Sequence, residues 1–237
     1  MQIPLGIILG SGIGIEKTRF SSVEILFEDN SGIHNKIIYK CLFDGKPLLV
    51  LQGRKHFYEG HNLAEMVENI HRVQKHGVNN LMITNAAGGV NDNFAVSDMM
   101  MIRSHINLNN SLLFKRKAFP YSKSLQEMFE QSCIEAGVKL HSGIYGYYQG
   151  PTYETKSEIR FQKKFNIDAA GMSTIPEVNE ASLNGINVIA VSVITNLLKE
   201  NDIEPASHES VLATAKAASK NLNKALSEFI KNLANSY

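Results

Sequence analysis

The chain has 237 residues, room for one large α/β domain, since single domains commonly reach about 200–250 residues. Hydrophobic residues make up 43% and charged residues 20%, and the formal net charge of +1 offers no broad field to draw in nucleic acid or a membrane surface. Two widely separated cysteines, Cys41 and Cys133, argue against a disulfide framework and a structural zinc site, and favour a reducing compartment.

The first predicted element is the strand "LGIILG" (5–10), whose short, glycine-punctuated run lacks the basic leader of a secretory signal. Further strands are expected at "KIIYKCLF" (36–43), "PLLVLQG" (47–53), "NLMITNA" (80–86), "DMMMIRS" (98–104), "HSGIYGYYQG" (141–150) and "NVIAVSVITN" (187–196). Amphipathic helical patterns cover 63–76, 122–136, 155–165, 176–184 and about 208–234. The short basic run "KRK" at 115–117 reads as a solvated loop. No stretch approaches the ~18 apolar residues of a membrane span, so a cytoplasmic protein without nucleic-acid or membrane partners is expected. Strands alternating with helices predict a single α/β domain over 1–237, with a mixed, partly barrel-like β-sheet flanked by helices.

In such folds ligands bind beyond the carboxyl ends of strands, and these ends carry unusual residues here. "GSGIG" (10–14) can present backbone N–H groups and the Ser11 hydroxyl to an anion, or can be a plain tight turn; it matches neither a Walker A loop nor a dinucleotide fingerprint. In "QGRKHFYEGH" (52–61), extended backbone would put Arg54, His56 and Tyr58 on one face, with Arg supplying a rigid donor fork for phosphate. Lys55 should then point the other way. The small residues of "TNAAGGVN" suggest a turn that lets backbone approach a ligand closely, with the Ala86 N–H as donor; close packing would equally account for Gly88 and Gly89.

Later in the chain, Tyr153 and Glu154 precede a helix, either as an aromatic face beside a carboxylate or with Glu154 as a cap. Met172 and Ser173 lie in a second small-residue turn, where Ser173 can donate to an anion or cap the next helix. Asn196 ends an apolar run and offers both a donor and an acceptor, or fixes a turn. His208 opens the last helix, possible as a cap-region residue.

Taken together, "GSGIG", "QGRKHFYEGH", "TNAAGGVN", "DMMMIRSHIN", "GPTYET", "AAGMSTIPEV", "SVITN" and "SHESVL" resemble, in order, the trimeric family of purine nucleoside and methylthioadenosine phosphorylases. The resemblance implies a nucleoside phosphorylase-like fold, a homotrimer with sites near subunit boundaries, and inorganic phosphate as co-substrate without a metal or organic cofactor. It implies that Ser11, Arg54, His56, Ser173 and the Ala86 N–H hold phosphate. Tyr58 and Met172 would line the sugar, His208 would meet its 5′-hydroxyl, and Phe119 would reach into a neighbouring subunit's site. Tyr153 would pack on the base and Glu154 and Asn196 would bond its edge, so that Asn196, Glu154 and His56 carry catalysis. Asn196, where the methylthioadenosine branch typically has Asp, favours 6-oxopurine nucleosides such as inosine and guanosine over adenosine. Tyr148 could bring a hydroxyl near the base and admit xanthosine. The alternatives are a methylthioadenosine phosphorylase, a hydrolytic nucleosidase, or a nucleoside-binding protein without catalysis.

Overall fold

The computed structural model describes residues 3–30, 35–109, 115, 117–200 and 208–236, with side chains of the last segment from residue 211 onward. Strands β1 (Leu5–Ile8), β2 (Phe20–Asp29), β3 (Lys36–Phe43) and β4 (Lys46–Gln52) come first, followed by helices α1 (Leu63–Met66) and α2 (Glu68–Lys75). Next are β5 (Asn80–Gly89), β6 (Met99–Asn107), α3 (Lys123–Glu135), β7 (Leu140–Tyr147) and α4 (Lys156–Lys164). The chain continues through β8 (Ala169–Gly171), α5 (Ile175–Leu183), β9 (Asn187–Leu197) and α6 (His208–Asn235).

All nine strands share one sheet, ordered β2-β3-β4-β1-β5-β8-β7-β6-β9, and β9 also pairs with β5. That last pairing closes β5, β8, β7, β6 and β9 into a five-stranded barrel, with β2, β3, β4 and β1 as an open arm. Parallel ladders join β4, β1, β5 and β9, so their carboxyl ends emerge on the same side. β8 runs antiparallel to β5, starting with Ala169 opposite Gly89 at the β5 carboxyl end and passing back along it.

The apolar strand runs are explained by burial on both faces, as parallel sheets demand. Along β4, Leu48 and Val50 enter one core cluster with Phe129 and Phe229 of α3 and α6, while Leu49 and Leu51 enter another with Ile70 and Val178 of α2 and α5. The same two-residue alternation splits β9, with Ile189, Val191 and Val193 on one side and Val188, Ala190 and Ile194 on the other. Helix starts follow local chemistry: Ser122 accepts from the Leu125 N–H, and Thr155 with Glu158 forms a reciprocal capping box.

Several expectations from the sequence need correction. β2 was not foreseen; its alternation is interrupted by register shifts between Ser21 and Glu24 and between Ile25 and Phe27, which hide the two-residue period. β8, three residues long, is too short to show a period. The helix expected over 63–76 is two helices, because Val67 leaves helical backbone at φ −94°, ψ 3°. The small-residue stretch from Asn85 to Gly89 is not a turn: β5 continues through Gly89, paired with β9 throughout and with β8 at its end. A Cβ on Gly88 would stand 2.9 Å from Leu198 and one on Gly89 2.8 Å from Ile194, so both glycines serve close packing.

Candidate functional site

One cavity of about 510 Å³ opens where these strand ends meet, a volume typical of small-molecule sites. Ser11 after β1, Arg54, His56 and Tyr58 after β4, Ala86 in β5, Tyr153 and Glu154 before α4, Met172 and Ser173 after β8, and Asn196 in β9 all line it. A second hollow of about 460 Å³ adjoins Ser11, Arg54 and His56 and is bounded by Gly10, Gly12, Gln52 and Asn35.

At one end of the cavity Arg54, 6% exposed, is tied down on every side. Its two terminal nitrogens donate to Ser173 Oγ and to the Thr84 carbonyl, each at 3.1 Å. Its Nε lies 2.8 Å from Glu177 Oε2, a close ion pair whose N–H is not aligned as a straight hydrogen bond. Burial pushes the Glu177 carboxyl up while the adjacent guanidinium pulls it down. Breaking such a buried pair typically costs about 3–5 kcal/mol, because the remaining charge is stranded. Thr84 knits this region to β1: its hydroxyl accepts from the Gly10 N–H at 3.0 Å and donates to the Ile8 carbonyl at 3.2 Å. Gly10 is required at this crossing, since a Cβ there would stand 2.7 Å from the Asn85 Cα.

Ser173 does not cap α5; the residue at the cap is Thr174, which makes no side-chain capping bond. Thr174 instead sits at φ 83°, ψ −47°, with the Ile175 N–H bonded to the Ser173 carbonyl at 3.0 Å, a γ-turn that a β-branched residue rarely adopts. Such backbone costs on the order of 1–3 kcal/mol and persists only where surroundings impose it. Here the Asn85 amide donates to Thr174 Oγ1 at 2.9 Å and clamps the turn. The strained backbone brings the Ser173 hydroxyl against Arg54.

His56 faces the same cavity with its Nδ1 3.2 Å from Glu59 Oε1, while its backbone N–H donates to Glu59 Oε2 at 3.1 Å. The Glu59 carboxylate thus holds the imidazole from both the ring and the backbone side. Tyr58 does not continue an extended strand, as the sequence suggested: it lies in a short 3-10 turn, Phe57–Glu59, and stacks on His56 with ring centroids 4.9 Å apart. It reaches the cavity all the same. Lys55 points away and pairs with Glu68 at 3.0 Å, as its alternation with Arg54 and His56 requires.

The other end of the cavity is more loosely held. Thr195 Oγ1 lies 3.2 Å from Asn196 Oδ1 and 3.3 Å from the Ala87 carbonyl oxygen, and its single proton is shared between these two acceptors. Glu154 does not cap α4, because Thr155 fills that role. Burial pushes the Glu154 carboxyl up, opposed by its own backbone N–H and by Gln162, with Glu158 adding to the rise. Tyr153 is part-buried beside it, its hydroxyl also pushed up by burial and by the Glu154 charge. Tyr148 does not reach this cavity: it packs on the small apolar cluster of Ile159, Ile167 and Leu198, and its hydroxyl faces Gln162. Phe119 is 91% exposed and away from this chain's own cavity. His208 starts α6, and its side chain lies outside the described residues.

Sequence reasoning missed Glu177, Thr84 and Glu59, which hold Arg54 and His56 in place. The readable signal was a carboxylate, Glu177, inside the otherwise small and apolar "TIPEVNEASL", where an unpaired charge would not be tolerated. Among the described residues no group of three or more His, Cys, Asp or Glu is arranged to hold a metal ion, and no helix is long and apolar enough to cross a membrane.

A cavity lined by a buried arginine, a histidine, tyrosines and a carboxamide, beside a closed five-stranded barrel, is consistent with a phosphorylase class of protein. Residues 4–231 match the family model described as the phosphorylase superfamily. Purine nucleoside phosphorylase 1 of Geobacillus stearothermophilus is 32% identical over 251 aligned residues, spanning 97% of this chain and 91% of that protein. A solved Schistosoma purine nucleoside phosphorylase in complex with hypoxanthine superposes with a TM-score of 0.86 at 29% identity, covering 97% of this chain and 90% of that one. The Schistosoma mansoni enzyme in complex with adenosine gives 0.84 at 30% identity, covering 97% and 90%. The chain belongs to the phosphorylase superfamily and, within it, to the purine nucleoside phosphorylases, which are pentosyltransferases.

Proposed function

We propose that this enzyme cleaves the N-glycosidic bond of 6-oxopurine ribonucleosides and deoxyribonucleosides with inorganic phosphate, giving free base and pentose 1-phosphate. The observation that carries this reading is that the Arg54–Ser173 pair and Asn196 line one and the same cavity. Ser11, Arg54, His56, Ser173 and the Ala86 N–H seat the phosphate. Tyr58 and Met172 line the pentose, and His208 meets its 5′-hydroxyl. Tyr153 stacks on the base, whose edge bonds to Glu154 and Asn196.

Phosphate oxygen attacks C1′ as the bond from C1′ to the purine nitrogen breaks and its electron pair moves onto the ring. The sugar passes through an oxocarbenium-like state, which the bound phosphate anion offsets. Asn196 donates to O6 through its amide N–H₂ and accepts through Oδ1 from N7, which takes a proton from solvent as the electron pair reaches the ring, so its contacts strengthen as charge gathers on the purine. The Thr195 hydroxyl 3.2 Å from Oδ1 supports this pairing whenever its proton is turned there and not to the Ala87 carbonyl. Glu154 as a carboxylate accepts from N1–H, which a 6-oxopurine has and adenine lacks. That complementarity supports inosine and guanosine over adenosine, and over methylthioadenosine. No organic cofactor or metal enters the scheme.

The exposure of Phe119 supports its insertion into the site of a neighbouring subunit in a homotrimer. The test is side-by-side cleavage of inosine, adenosine and methylthioadenosine with and without phosphate. Inosine cleavage that requires phosphate and exceeds that of both other nucleosides is the expected result. Equal inosine cleavage in phosphate-free buffer would make the protein a nucleosidase, and tight inosine binding without turnover would make it a binding protein.

A further inference from the structure

Behind the base end of the cavity lies a buried polar pair that the scheme above does not use. Gln162, fully buried on α4, sits against the apolar cluster of Ile159, Ile167 and Leu198. Its Nε2 points at Glu154 Oε1 over 3.5 Å, long for a hydrogen bond. Its Oε1 is buried without a hydrogen-bond partner among the described residues, and so is the hydroxyl of Tyr148, whose nearest polar influence is Gln162 itself. Buried polar atoms left unpaired are costly, so two on interacting side chains call for a reason. One is an acceptor and the other can donate to it.

We propose that Gln162, oriented by Tyr148, is a positioning residue that keeps Glu154 a hydrogen-bond-accepting carboxylate and thereby ties the site to purines bearing an N–H at that edge. The inference rests on Glu154 as the acceptor at the base edge. An amide has two orientations here. With the Tyr148 hydroxyl donating to Oε1, the N–H₂ must face Glu154 and favours its charged form. With the amide reversed, Oε1 would face Glu154 and favour the protonated acid, which is the form that adenine's N1 acceptor requires. Burial pushes the Tyr148 hydroxyl up to about 12, so it stays a donor across the working pH range. The other titratable groups that act on Glu154 are Glu158 on α4, Tyr145 on β7 and its neighbour Tyr153. None of them is a cation, and among the described residues Glu154 has no ion-pair partner. That leaves Gln162 as the side chain opposing the effect of burial.

The experiment compares kcat/KM for inosine and adenosine across about pH 5 to 9 in wild type, Gln162→Leu, Gln162→Glu and Glu154→Gln. For Gln162→Leu the acid limb for inosine moves up by about one pH unit, and the adenosine-to-inosine ratio near the limb rises about tenfold. Gln162→Glu, of equal size, places a like charge beside Glu154 and moves the limb further in the same direction. Profiles and substrate ratios that superimpose on wild type overturn the proposal; if Gln162→Leu fails to fold, an unshifted limb in Gln162→Glu overturns it equally. Glu154→Gln separates the two layers of the argument. If that variant loses inosine turnover while the Gln162 variants are unshifted, only the role of Gln162 falls. If it keeps full inosine turnover, the reading of Glu154 at the base edge falls first.

Discussion

At the Arg54 end of the cavity the donors are already bound to protein: Arg54 to Ser173, Thr84 and Glu177, and His56 to Glu59. By contrast, Glu154 is held by its own backbone N–H and by a long 3.5 Å contact to Gln162, and among the described residues the side-chain contact of Asn196 is to Thr195. The first region is built into the sheet through Thr84 and the Thr174 γ-turn, so its geometry exists before any ligand arrives. In the proposed reading, the second region keeps hydrogen-bonding capacity for the base. Preorganised donors suit the part of the reaction that every substrate shares, the oxyanion. Unfilled donors and acceptors suit discrimination, because a mismatched base leaves them stranded.

The largest effect is expected where the prebuilt end is broken. Arg54→Ala lowers phosphate-dependent kcat/KM for inosine by about 10²–10³-fold, the range seen when one preorganised charge-stabilising donor is removed. The same substitution leaves Glu177 buried without its cation and lowers unfolding stability by about 3–5 kcal/mol. Steady-state kinetics with a denaturant melt on one sample measures both. An Arg54→Ala protein as stable as wild type would mean that this end is assembled by phosphate and not by the fold.

At the discriminating end the signature reverses. Asn196→Asp lowers the inosine-to-adenosine ratio of kcat/KM by about 10–100-fold, the consequence of stranding one buried polar group against O6. Stability changes little, because among the described residues the Asn196 side chain bonds only Thr195 Oγ1. An inosine preference that survives in Asn196→Asp would remove the amide from the recognition of the ring.

The pH dependence of inosine turnover sharpens the same contrast. Burial raises the Glu154 carboxyl above the ordinary carboxylate range. Lowering the pH through that raised value protonates Glu154, which then no longer accepts from N1–H. Inosine kcat/KM therefore declines on the acid side at a higher pH than a solvent-exposed glutamate would give. A profile flat down to the ordinary carboxylate range would show that Glu154 does not need to be charged.

How much of this was legible from residues alone divides along the same line. The strand ends that bear Ser11, Arg54, His56, Asn196 and Glu154 were readable, because apolar runs ending in polar residues mark the rim of a parallel sheet. The groups that fix the anion seat were not. Glu177 is over 120 residues from Arg54 in sequence, and no local pattern announces a pair whose meaning is purely spatial. A partly barrel-like sheet was expected, but which strands close it was hidden, because closure depends on β9 pairing with both β5 and β6 and on the three-residue β8. The strand character of Ala86 to Gly89 was masked because small residues carry turn propensity, and pairing to β9 overrides it.

The smallest effects test what the loose end uses for affinity as opposed to recognition. Phe119→Ala raises the nucleoside KM by about 2–10-fold, the worth of one aromatic contact, with kcat for saturating inosine little changed. Tyr153→Phe should do less still. Tyr153 lines the cavity, and removing the hydroxyl leaves an aromatic face of the same size for stacking. Activity within about 2-fold of wild type is expected, whereas Tyr153→Ala costs about tenfold in KM through lost aromatic contact. A large loss in Tyr153→Phe would mean that the hydroxyl itself bonds the ligand, and recognition of the substrate would then rest on three polar groups where the present reading needs two.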